Sequence, residues 1–143
     1  MLSSGRRDSE RGSVLPALAV MTIISVLMAG LVVDAGFLQQ QRGQAQIAAD
    51  AAAVAGAMEL LPAGKGSAWA VNAAKNASAW NGFTNGANNT TVTVTPNLSA
   101  KTLTVQIRRN AKTYFMNMLG LRSMPVVVTA VAGASRQIAQ LNQ

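Results

Sequence analysis

The chain has 143 residues, half of them apolar but only 4% aromatic, and a formal net charge of +7. That length holds one compact domain beside one lipid-type segment, and an apolar content carried largely by alanine means that the folded part must pack small side chains closely. With no cysteine and no histidine, disulfides, thiolate catalysis and the commonest transition-metal ligands are excluded.

Residues 1–13 are polar, with Arg6, Arg7 and Arg11 set against Asp8 and Glu10, and contain too little apolar surface to order themselves. They are expected to form a basic cytoplasmic tail. Residues 14–33, VLPALAVMTIISVLMAGLVV, carry no charge. About 20 residues at ~1.5 Å each match the ~30 Å hydrocarbon layer, so a transmembrane helix is expected here. Pro16 is compatible with it, because in a first turn capped by Ser13 its missing N–H has no partner to lose. A secretory signal peptide would have a shorter apolar core ending at a small-residue cleavage site. Three arginines precede the span and only Arg42 follows it closely, which predicts an inside N-terminus and an outside C-terminal domain.

Residues 34–61 contain no proline and are expected to continue the anchor as an amphipathic helix. Ile47, Ala51, Val54, Met58 and Leu61 recur at helical spacing and form the predicted buried stripe. Ala45, Ala49, Ala53 and Ala57 fall at four-residue steps, where small side chains permit close approach of another element. Asp50 is placed at the stripe's edge. There it either pairs with Arg108 or Arg109, or stays in water as a solubilising charge.

Residues 62–143 read as a small basic α+β domain. Pro62 to Ser67 is a turn, and Ala68 to Trp80 a short helix with Trp69 and Trp80 as expected core anchors. Asn81 to Asn89 is loop. Thr90–Pro96 and Lys101–Arg109 alternate as two strands of a hairpin closed around Asn97 to Ala100. Tyr114 to Leu121 is a short apolar helical turn ending near Gly120, Pro125 to Ser135 a third strand, and Arg136 to Gln143 a polar tail. The expected fold is therefore α+β, a long N-terminal helix packed on a small antiparallel sheet, with the hairpin's apolar face on Ile47, Val54 and Met58.

All five acidic residues lie in the first 59 positions, so Lys65, Lys75, Lys101, Arg108, Arg109, Lys112, Arg122 and Arg136 have no acidic neighbour in sequence. Arg108, Arg109, Lys112 and Arg122 form a candidate polyanion patch. Two-carboxylate catalysis has no candidates in the distal domain, no SxxK spacing occurs, and GKGS at Gly64 to Ser67 lacks the spacing of a phosphate loop. No enzyme activity, cofactor or small-molecule substrate is expected.

ERGSVLPALAV (Glu10 to Val20), VVDAG (Val32 to Gly36) and DAAAVAGA (Asp50 to Ala57) resemble the N-terminal region of the Tad/Flp tight-adherence pilus-assembly proteins of the TadE/TadG type. The segment YFMNMLGLRSMPVVVTAVAGAS (Tyr114 to Ser135) is similar to the terminal segment of short members. The resemblance implies a pilin-like architecture in a bacterial inner membrane, and a structural or assembly role in an adhesive pilus. It also implies partner subunits engaged through the long helix, with Asp34, Ile47, Asp50, Val54 and Met58 as its packing residues. Processed pilin-like members carry a glutamate five residues after the cleavage glycine; counted from Gly12 that place holds Ala17, a departure from the processed pattern. The other reading is an anchored module that captures envelope polysaccharide or DNA, which salt would weaken steeply.

Overall fold

The computed structural model describes residues 11–61 and 66–134, with side chains placed from residue 14 onward. The expectations for residues 1–10 of the basic tail, for most of the turn at Pro62 to Ser67 and for the polar tail fall outside these residues; residues 11–13, expected in the tail, are already helical.

The first element, α1, is one uninterrupted helix, Arg11–Met58, of 48 residues. At ~1.5 Å per residue it is about 70 Å long. Pro16 is accommodated near its start, and nothing C-terminal to it removes a backbone donor. Its N-terminal part is exposed and apolar, and it is long and apolar enough to cross a membrane. α2, Ser67–Trp80, follows, and then three strands: β1 (Thr90–Asn97), β2 (Thr102–Lys112) and β3 (Ser123–Gly133). A 310 turn, Met116–Leu119, lies between β2 and β3 and ends at Gly120, whose φ of 87° is the left-handed conformation glycine adopts without strain.

The sheet is antiparallel in the order β1-β2-β3. The hairpin register sets Thr90 opposite Arg109 and Asn97 opposite Thr102. Val105 of the central strand faces Val94 on one side and Ala130 on the other. The side chain of Asn97 closes the hairpin loop by accepting from the Ala100 N–H at 3.0 Å and the Ser99 hydroxyl at 2.7 Å. Strand alternation sorts the faces: Leu103, Val105 and Ile107 are wholly buried, while Gln106 and Arg108 between and beyond them are exposed. The architecture is the expected α+β one, with both helices on one face of the sheet.

The face of α1 that does the packing differs from the expected stripe. Ala45, Ala48, Ala49, Ala52, Ala53 and Ala57 are at most 2% exposed, whereas Ile47, Val54 and Met58 are exposed by 65%, 48% and 63%. The two sets lie on opposite sides of the helix, roughly 180° apart at ~100° per residue. The hairpin therefore packs on alanines. The physical reason is distance: a methyl-sized surface lets α2 and the sheet come close to the α1 backbone, where dense contacts of the strand side chains replace the missing bulk. Gly56 marks the closest approach, since a Cβ there would collide with the Leu103 side chain and lie 2.8 Å from the Ala70 carbonyl oxygen. The same rule reverses the expectation for α2. Its buried face is Ala70, Ala74, Ala77 and Ser78, and both tryptophans point away, Trp69 being 61% and Trp80 86% exposed.

Gly56→Ala should therefore destabilise the full chain in detergent micelles by about 1–3 kcal/mol through overpacking, and Leu103→Ala by about 2–5 kcal/mol through the cavity it leaves. Ile47→Ala should stay within ~0.5 kcal/mol. Thermal unfolding followed by circular dichroism measures all three; a cost for Ile47→Ala equal to that for Gly56→Ala would restore the bulky stripe as the packing face.

Candidate assembly surface

Two aspartates of α1 were singled out from sequence, and their environments are opposite. Asp34 is 1% exposed. Its carboxylate accepts the Tyr114 N–H at 3.0 Å and the Met116 N–H at 2.7 Å, from a segment 80 residues further along the chain. These donors belong to the entry of the 310 turn, where backbone N–H groups have no partner inside the turn, so a carboxylate is the natural acceptor. Burial by itself raises the Asp34 pKa, but the N–H groups of Met116, Tyr114 and Phe115 outweigh it and hold the carboxyl below its ordinary value. Next to this contact the Phe115 ring lies against Gly30, where any Cβ would overlap it. One turn above, Phe37 meets Tyr114 edge to face at 5.6 Å between ring centroids.

Asp50 is exposed and has neither Arg108 nor Arg109 as a partner; it accepts a hydrogen bond from Gln46 Nε2 at 3.0 Å, one helical turn away. The expected pairing fails because DAAAVAGA turns its alanines and Gly56 inward, which carries Asp50 and Val54 to the outer side. Arg109 is engaged elsewhere. Its guanidinium lies 3.9 Å over the Phe83 ring and donates to the Gly82 carbonyl at 2.7 Å and the Thr90 hydroxyl at 2.8 Å, with Gln41 at 3.5 Å. Partial burial lowers its pKa, and it stays charged. Arg109 thus staples the loop after α2 to the sheet.

Of the four cations of the candidate polyanion patch, Arg109 is set apart from the other three. Arg108 and Lys112 project from the outer face of β2, Arg109 from the inner face, and Arg122 precedes β3. Part of what α1 leaves uncovered is apolar. Beside Ile47, the Val54 and Met58 side chains border a shallow groove completed by Leu61 and the end of β3 at Ala132 to Ala134. No reasoning from sequence found the Gly30–Phe115 contact or the Asp34 latch. The signal available was a lone acid directly after an uncharged span.

Residues 12–59 match the family model described as putative Flp pilus-assembly TadE/G-like. The TadE/G-like stretch is α1 and one residue beyond it, so the match covers the span, Asp34, the alanine face and the exposed Ile47, Val54 and Met58, and it supports a role related to pilus assembly. No curated protein and no solved structure matches the chain.

The Asp34 contact carries a pH signature. Because its folded pKa lies below the ordinary value of 3.8, its contribution is complete above that value and is lost as pH falls through the depressed one. Melting temperature of the full chain in micelles should fall on acidification below about pH 4. Asp34→Asn should lower it at neutral pH and remove that part of the acid dependence; an unchanged profile would show that the carboxylate does not hold the turn.

Proposed function

We propose that the chain is a membrane-anchored structural component of Tad/Flp-type pilus assembly, without catalytic activity. In this reading the outward face of α1, Ile47, Asp50, Val54 and Met58, is its contact with other pilus-assembly or pilin-like subunits. The observation that carries this is the coincidence of the TadE/G-like match with a helix whose one side is closed by the chain's own domain and whose other side exposes Ile47, Val54 and Met58. Exposed large apolar side chains in a row are unfavourable in water and favour burial against a partner. Along the span, association with neighbouring helices would rest on close packing rather than on the hydrophobic effect.

The topology proposed is single-pass in a bacterial inner membrane, with residues 1–13 cytoplasmic, 14–33 spanning, 34–61 extending the anchor and 62–143 outside. It rests on Arg6, Arg7 and Arg11 preceding the span against Arg42 after it. The chain has no cysteine, so single cysteines report without background. In intact spheroplasts an impermeant maleimide should label Ser99→Cys, and Ser4→Cys only after lysis; the reverse pattern would invert the topology. In membranes that carry the assembled pilus apparatus, Ile47→Cys, Val54→Cys and Met58→Cys should form oxidative cross-links to other subunits, while the buried Ala49→Cys should not. Failure of all three exposed positions to cross-link in assembling cells would rule out this face as the contact.

A further inference from the structure

The 310 turn between β2 and β3 exposes a cluster of large apolar side chains, and it sits low on α1. Met118 is 79% exposed, Leu119 65%, Leu121 55% and Phe115 37%. It meets the domain, where Met116 lies beside Met124, Pro125 and Val126, and it also meets the helix below the domain. Phe115 rests on Gly30, and Phe115, Met118 and Leu119 share an apolar cleft with Leu27 and Leu31. Those α1 residues belong to the uncharged stretch that ends at Val33. Leu27 lies about 9 Å along the helix axis before that end, at ~1.5 Å per residue. If α1 spans a bilayer there, the turn cannot be in water.

The backbone of the turn is built accordingly. A non-helical segment at membrane depth must satisfy its own polar groups, since hydrocarbon offers no partners. The Tyr114 and Met116 N–H groups donate to Asp34. Those of Met118, Gly120 and Leu121 donate to Phe115, Asn117 and Met116 carbonyls, each at 3.0 Å. The Leu121 carbonyl accepts from the Thr113 hydroxyl. Groups suited to the headgroup layer flank the turn: Tyr114, itself 62% exposed and stacked edge-on with Phe37, and the exposed cations Lys112 and Arg122 at the two strands that lead into and out of it.

We propose that residues 114–121 form a second membrane element, a short wedge seated in the lipid on the domain side of the span, with Phe115, Met118, Leu119 and Leu121 among the acyl chains. The wedge fixes the depth and the tilt of the domain on the bilayer, which one helix alone leaves free. Its occupant is lipid because the cleft it forms with Leu27 and Leu31 is continuous with the spanning surface. The inference rests on the reading of Val14 to Val33 as a membrane span.

The test uses the full chain with Met118→Cys or Leu119→Cys, each carrying an environment-sensitive fluorophore, in phosphatidylcholine–phosphatidylglycerol vesicles. Val20→Cys in the span and Ser99→Cys in the hairpin loop are the references. Met118 and Leu119 are both highly exposed, so neither substitution disturbs the core. The expected result is blue-shifted emission at both turn positions, quenched several-fold more by spin-labelled lipid than by aqueous iodide. Val20 should likewise be quenched by spin-labelled lipid in preference to iodide, and Ser99 should read as water. Iodide quenching at both turn positions while Val20 stays in lipid would overturn the wedge and leave the span intact. Water at Val20 would overturn both. Shielding of the turn from both quenchers, with disulfide formation between Met118→Cys chains, would overturn it in favour of a second copy as the occupant.

Discussion

The structure depends on how closely other elements can approach the backbone of α1. A helix surface of alanines and one glycine contributes little apolar area of its own, so its stabilising effect comes from the side chains that reach it. Leu103, Val105 and Ile107 descend from the central strand, and Phe83 closes the near end under Arg109. Close approach makes this layer dense, and density makes it intolerant: a methyl group at Gly56 has nowhere to go. A domain with few aromatic residues and no cysteine reaches a packed core in this way.

The motif DAAAVAGA gains a physical meaning from that arrangement. Ala52, Ala53, Gly56 and Ala57 face the domain, and Asp50 and Val54 face away. One short stretch thus specifies an internal surface and an external one. VVDAG does something different. It ends the apolar stretch with an acid whose partners are backbone donors from the far end of the chain.

Much of the architecture was legible in the sequence because period and breakers encode it. The hairpin followed from strict alternation in Thr90 to Pro96 and Lys101 to Arg109, the apolar turn from its position before Gly120, and the continuous helix from the lack of proline after Pro16. The sidedness of the helices was not legible. Bulk is ordinarily the guide to burial, and it pointed to Ile47, Val54, Met58 and the two tryptophans, all of which lie outside. That guide fails where the optimum is close approach. The Asp50–Arg109 expectation failed with it, since it took the bulky stripe as the inner face. Asp34 could be singled out, but its partners are main-chain groups 80 and 82 residues away, and main-chain donors carry no sequence signal.

The continuity of α1 has a mechanical consequence. Between Val33 and Ala45 the helix contains Gly36 and Gly43, each with open space where a side chain would be, and each costs about 1 kcal/mol of helix propensity relative to alanine. Left alone, such a neck would bend and twist easily. The turn held by Asp34 and Gly30 braces it from the side, joining the top of the span to the base of the sheet by a second strut. The domain and the span are therefore locked in phase. One residue inserted in the neck would lift the domain by only ~1.5 Å but rotate it by ~100° against the turn, so the length of this stretch acts as a gear tooth that couples rotation of the anchor to the direction in which the domain's outer face points.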